Sequence, residues 1–213
     1  MSRGHFISFE GIEGAGKSTV VRALEQQLAG RGIDVLVTRE PGGTPLAEAL
    51  RELLLRPGVE HISPTAETLM MFAARALHVD NQIRPALEAG RWVLCDRFTD
   101  ASYAYQGWAR GVPREFIGQL AQAVHGGLWP ERTLLFDLPV DVGLTRARER
   151  ASGPDRFESE RHEFFEGVRA AYLERARAEP GRIRVLDATQ PAHRVLDAAL
   201  AALADLLPAT GIA

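Results

Sequence analysis

The residues with the clearest chemistry lie near the start of the chain, where Gly11-Ile12-Glu13-Gly14-Ala15-Gly16-Lys17-Ser18-Thr19 contains the spacing G-x-x-x-x-G-K-[ST]. Glycines at those places let successive backbone N–H groups turn inward around an anion, and a helix starting there adds its partial positive charge. Lys17 then sets a full charge against the outer phosphates of a nucleoside triphosphate, and the Ser18 hydroxyl is available to Mg2+. A glycine-rich turn joining strand to helix is the plainer alternative. Against it, the apolar run before the motif and the amphipathic pattern after it are the context the motif requires. The motif by itself leaves open a switch, a motor or a kinase.

A kinase needs a second anion site facing the first. Thr38-Arg39-Glu40-Pro41-Gly42-Gly43 and Asp96-Arg97 each follow an apolar, strand-like run, and ligands of open parallel sheets bind at the carboxyl ends of strands. Arg39 and Arg97 are therefore expected to converge on the glycine-rich loop, where a guanidinium fork suits a phosphate. Taken alone, either arginine is equally an ion-pair partner. Asp96 either holds Mg2+, directly or through water, or closes a turn. Farther on, Arg146, Arg148, Arg150, Arg156 and Arg161 surround Ser152-Gly153-Pro154, a helix-breaking triplet. A mobile charged lid over about 146–161 is expected, the alternative being a solvated helix end with i,i+4 charge pairs.

These groups need a frame. Strands are expected from Phe6 to Phe9, Ile33 to Thr38, Trp92 to Cys95, Thr133 to Phe136 and Ile183 to Leu186, alternating with helical patterns. Val20, Val21, Leu24 and Leu28 mark one helix. Ser63-Pro64 caps a long one carrying Leu69, Phe72, Ala76, Ile83 and Leu87, stopped by Gly90. Phe164, Phe165, Val168 and Tyr172 mark a later helix, and Val195, Ala199, Leu203 and Leu206 a last one. The fold class is α/β, a parallel five-stranded sheet flanked by helices, in one domain over 1–213.

With 46% hydrophobic residues in 213, the chain can bury one sizeable core. A net charge of −3 gives no overall attraction for nucleic acid or an anionic membrane, so phosphate binding must be local. The single cysteine, Cys95, sits in an apolar run and has no disulfide partner within the chain, which fits a reducing compartment. No apolar stretch approaches a membrane span, and the expected location is the cytoplasm. No histidines stand at metal-ligand spacing.

In order along the chain, Phe9-Glu10-Gly11 through Ser18, Thr38-Arg39-Glu40-Pro41-Gly42-Gly43-Thr44, Asp96-Arg97, Ala104-Tyr105-Gln106-Gly107, Asp155-Arg156-Phe157-Glu158 and Asp187-Ala188-Thr189-Gln190-Pro191 resemble bacterial thymidylate kinase. The resemblance spans nearly the whole chain. It implies a P-loop nucleoside monophosphate kinase fold and transfer of the γ-phosphoryl group of ATP to dTMP, giving dTDP and ADP. It also implies that Arg39 and Arg97 hold the dTMP phosphate, with Arg51 positioning the site and Glu40 counted in the acceptor pocket. Glu13 would face the deoxyribose, and Arg75, Ser102 and Gln106 would bond thymine. Tyr105 would crowd a ribose 2′-hydroxyl. An aromatic ring stacks on thymine in the family; here Met71 stands four residues before Arg75, with Phe72 beside it as the aromatic candidate. Family members are usually homodimers.

Gly11 through Thr19 would hold ATP, with Mg2+ at Ser18 and Asp96. The acceptor phosphate is already ionised, so no general base is needed. The loop interior carries no cation before Lys17, so the catalytic charge falls to Lys17, Arg97 and the lid, where Arg150 and Arg156 flank the helix break. Another deoxynucleoside or nucleotide kinase is the nearest alternative. A GTP-dependent switch is farther off, because no N-K-x-D segment is present and the lone Asn81 sits in Asn81-Gln82-Ile83-Arg84.

Overall fold

The computed structural model describes residues 3–57, 60–149, 156–157 and 160–208. In chain order these form β1 (Phe6–Glu10), α1 (Lys17–Ala29), β2 (Val35–Arg39), α2 (Pro45–Leu55), α3 (Pro64–His78), α4 (Arg84–Glu88), β3 (Trp92–Asp96) and α5 (Thr99–Ser102). There follow α6 (Arg114–Val124), β4 (Arg132–Asp137), α7 (Val140–Arg148), α8 (His162–Ala178), β5 (Ile183–Asp187) and α9 (Ala192–Ala202). Two π-helical turns, Val79–Ile83 and Tyr103–Ala109, continue α3 and α5.

All five strands pair in parallel, in the order β2-β3-β1-β4-β5. The central β1 is buried along its whole length, as expected of a strand covered on both faces. Alternation of side chains sorts the core into two layers. Ile7, Phe9 and Leu94 pack with Val20, Leu24 and Leu28 of α1 and with residues of α8 and α9. Phe6, Val93 and Cys95 face the other way, against Val79, Ile83, Leu87 and Phe98. Cys95 is fully buried, as a small hydrophobe, and its thiol donates to the Arg97 carbonyl.

The register brings chemistry to one end of the sheet. Arg39 pairs with Asp96, and Asp96 with Phe9, so β2, β3 and β1 finish together. The chain leaves β1 for β2 on one side and later returns to β4 on the other, which opens a crevice at the carboxyl end of the central strands.

Local signals set the helix starts. Thr44 accepts from Ala47 N–H and Ser63 from Ala66 N–H, each followed by proline in the first turn. The single long helix expected after Ser63 is instead α3, a π turn and α4. The expected C-terminal helix stops at Ala202, leaving Leu203 packed just beyond it. Arg39 and Asp96 are the last residues of their strands rather than the first after them. Of the expected lid, Arg146 and Arg148 lie in α7 and Arg156 donates its backbone N–H to the Leu55 carbonyl.

Beneath the crevice, His125 is buried, with Nε2 2.9 Å from Thr99 Oγ1 and its ring 5.1 Å from those of Phe98 and of Trp129. Burial, and after it the charge of Arg75, pushes its pKa down to about 4. A depressed pKa contributes stability that is present above the ordinary value near 6.5 and is lost as pH falls through about 4. In thermal melts, the wild type should therefore lose melting temperature more steeply between these two pH values than His125→Gln, which keeps an acceptor for Thr99.

Candidate active site

The glycine-rich loop closes tightly over the end of β1. Gly11 has φ 136°, and a Cβ there would meet the Phe136 carbonyl oxygen at 2.5 Å. Gly14, at φ 71°, lies directly against the Gly143 backbone of α7, leaving no room for a side chain. Lys17 is buried, and its Nζ donates to the carbonyls of Gly11 and Ile12, each at 3.1 Å. Burial, followed by the Arg97 charge, lowers its pKa, against the pull of Asp96, Glu13 and Glu10.

A cavity of about 450 Å³ runs from this loop to the opposite wall. It is lined by Glu13, Gly14, Ala15, Gly16, Lys17, Ser18 and Thr19 on one side and by Glu40, Arg51, Arg75, Ser102, Tyr105 and Gln106 on the other, with Asp96 and Arg97 between. Most of the residues singled out in the sequence thus meet in one place. Arg39 does not line it. At the sheet edge its side chain is half exposed and pairs with Glu48 at 2.9 Å. Phe72 does not line it either: it is buried against Val112, Ile117 and Ala121, with the Arg75 guanidinium 4.5 Å above its ring. Met71 occupies the wall in its stead.

Arg97 holds the centre. It is the one non-glycine among the described residues with positive φ, 69°, a conformation costing about 1–2 kcal/mol. Its backbone N–H donates to Phe9, the next N–H (Phe98) donates to Glu10, and its guanidinium donates to Glu13 at 2.8 Å while lying 4.8 Å from the Tyr105 ring centroid. The Tyr105 hydroxyl is 2.9 Å from both Glu13 oxygens. Beneath, fully buried Glu10 also accepts from the Tyr172 hydroxyl at 2.7 Å, and burial, then the negative charge of Asp100, pushes its pKa up to about 8.

On the far wall Arg75 is buried and donates from Nε to Glu40 at 2.6 Å and from Nη1 to Ser102 at 3.1 Å. Burial raises the Glu40 pKa, but Arg75 and His78 outweigh it and hold the carboxyl below the usual range. The Gln106 amide nitrogen donates to Glu67. Arg51 donates to the Pro41 carbonyl.

The two arginines expected in the lid stand differently. Arg150 lies outside the described residues. Arg156 is anchored on the wall opposite the loop, donating to the Leu54 carbonyl at 2.6 Å and to Glu67 at 2.7 Å, while Phe157 lines the cavity edge-on to Tyr105. Arg146, in α7, lines the cavity and donates to the Ala188 carbonyl. Sequence reasoning also passed over Glu10, Glu67, His78 and Tyr172, which work from behind the wall and carry no local signature. The Asp96 Oδ1 atom is buried with no hydrogen-bond partner among the described residues, the condition of an oxygen suited to a cation.

This arrangement has close relatives. The thymidylate kinase family model matches residues 9–199. A thymidylate kinase of Halorhodospira halophila is 54% identical over 210 residues, covering 98% of each chain. One of Pseudomonas syringae is 58% identical over 187 residues, covering 88% of this chain and 89% of its own. The chain belongs to the thymidylate kinase family. The crystal structure of thymidylate kinase from Ehrlichia chaffeensis superposes with a TM-score of 0.77 at 30% identity, covering 95% of this chain and 99% of that one. The thymidylate kinase fold is thus shared across the full sheet and its helices.

Breaking a buried ion pair leaves an uncompensated charge, worth about 3–5 kcal/mol. Glu40→Gln should lower the unfolding free energy by about that amount in urea melts and raise KM for the acceptor nucleotide, because Arg75 loses its anchor. Unchanged stability would show that Glu40 does not hold Arg75.

Proposed function

We propose that this thymidylate kinase transfers the γ-phosphoryl group of ATP to dTMP with ATP on the Gly11–Thr19 loop and dTMP against the opposite wall. One observation carries the reading: a single cavity joins the loop and Lys17 to Arg97, Arg75, Ser102 and Gln106. Lys17 and Arg97 draw the two phosphates together from opposite sides, and the transfer is in line, its charge spread over the equatorial oxygens. The acceptor oxygen is ionised at neutral pH, so the protein supplies position and charge rather than a base. Arg75, Ser102 and Gln106 read the base, with Met71 the side chain placed to lie against it. Glu13 faces the sugar, tied to Tyr105, whose ring fills the space a ribose hydroxyl would need. Arg51 supports the acceptor phosphate, and Arg39 closes on it from the rim.

Ser18 and Asp96 would hold Mg2+, which when bound offsets negative charge on the phosphates of the donor. The unsatisfied Asp96 oxygen supports this. The lid over about 146–161 closes above the transferring group and keeps water out. With Arg156 seated on Glu67, Arg150 is the better source of lid charge. Exposed Leu46, Leu53 and Leu69 on adjoining α2 and α3 support a homodimer. No helix among the described residues is long and apolar enough to cross a membrane. A cytoplasmic location in one kinase domain completes the proposal.

ADP release measured across dTMP, dUMP, dCMP, dGMP, UMP and thymidine should show kcat/KM highest for dTMP. Preference for thymidine would instead mean a nucleoside kinase and would overturn the acceptor assignment. On the same assay, Arg150→Ala should lower kcat by about 10²-fold with little change in ATP affinity. Arg156→Ala should act mainly on KM for dTMP.

A further inference from the structure

Behind the base-reading wall, Glu67 of α3 is 1% exposed and does not itself line the cavity. Its Oε1 accepts from the Gln106 amide nitrogen at 2.8 Å, and its Oε2 accepts from Arg156 Nη2 at 2.7 Å. Arg110 Nε stands 3.6 Å from Oε1. Gln106 is likewise buried, on the π turn that also presents Tyr105.

The polarity of this contact decides what a base meets. A side-chain amide has one donor end and one acceptor end, and in isolation it is free to turn either outward. A carboxylate paired with a guanidinium accepts only. Glu67 therefore takes the NH2 end of Gln106 and leaves the carbonyl oxygen as the amide's group for a ligand. The reverse orientation would set carbonyl against carboxylate and strand both.

We infer that Glu67 is a positioning residue for base selection: by fixing the Gln106 amide with its carbonyl toward the base, it makes the site accept a ring N–H and refuse a ring nitrogen acceptor. Thymine and uracil present that N–H at N3, whereas cytosine presents a lone pair there. The inference rests on the acceptor pocket proposed above. It assigns to Glu67 an effect that depends on the hydrogen-bond polarity of the base and is indifferent to the 5-methyl group and the sugar. A carboxylate that merely braced the wall would change all bases alike.

The test measures KM and kcat for dTMP and dUMP, and Ki for 5-methyl-dCMP, on the full chain and on Glu67→Gln, Gln106→Ala and the swap Glu67→Gln/Gln106→Glu. In Glu67→Gln the amide at 67 donates or accepts, and Gln106 is no longer held in one orientation. KM for dTMP and dUMP should rise together by about tenfold, while binding of 5-methyl-dCMP tightens relative to both, since a stranded buried hydrogen-bonding group costs about that factor. The swap returns an acceptor to the cavity, so discrimination against 5-methyl-dCMP should recover. Should Glu67→Gln fail to fold, Glu67→Asp, whose shorter carboxylate draws back from Gln106, carries the same readout: weakened discrimination against 5-methyl-dCMP supports the role, and one common change in all constants in the folded protein overturns it. The inference is also overturned if Glu67→Gln changes all three constants by one factor while Gln106→Ala still abolishes discrimination. In that case Gln106 reads the base without Glu67, and the acceptor pocket stands. If Gln106→Ala leaves base preference untouched, the pocket assignment fails and the role of Glu67 falls with it.

Discussion

Taking a guanidinium out of water costs several kcal/mol unless an opposite charge accompanies it, and the crevice is built around that constraint. Three carboxylates, Glu13, Glu40 and Glu67, each pair with an arginine at its edge: Arg97, Arg75 and Arg156. Each pair fixes a direction as well as offsetting a charge, because a fork-shaped donor held on one side has its remaining N–H groups aimed at the other. The backbone carbonyls of Pro41 and Ala188 orient Arg51 and Arg146 in addition. An anion entering between these groups meets cations already oriented, which is the preorganisation that phosphoryl transfer demands.

The sheet makes this convergence possible. Strands β2, β3 and β1 end in register, so Arg39, Asp96 and the residues after Phe9 emerge at one level. Immediately past β3 the backbone turns through a left-handed conformation at Arg97, which sends the guanidinium across the mouth of the loop rather than along the sheet. Glu10 and Phe9 pin that turn through two backbone N–H bonds, so the strain is carried by the most deeply buried strand in the protein. The π turn at Tyr103–Ala109 has a similar use. Its extra residue per turn brings Tyr105 and Gln106 to the same wall.

The two sides of the cavity also meet α7 and the Arg156-Phe157 segment. Gly14 of the loop packs on Gly143 of α7, and farther along the chain Phe157 lies against Tyr105 while Arg156 reaches Glu67. The glycine-rich loop and the opposite wall are therefore each in contact with one of these two parts of the chain.

What the sequence determined by itself was local. The phosphate loop was legible because its glycines, lysine and hydroxyl fall within nine consecutive residues, and the inner strands β1, β3 and β4 because burial on both faces leaves a nearly continuous apolar run. Arg97 and Asp96 could be placed because strand ends in a parallel sheet share one edge. The helix after Ser63 was misjudged as continuous because a π turn changes the hydrogen-bond pattern without disturbing the apolar spacing. Only the tertiary structure decided which carboxylate holds which cation. Tyr172 reaches Glu10 across 162 residues and Arg156 reaches Glu67 across 89, and no spacing rule encodes such pairs. It also decided that Met71 and not Phe72 faces the cavity, since two neighbours on one helix point about 100° apart and packing against Val112 and Ile117 selects which one turns inward to the core.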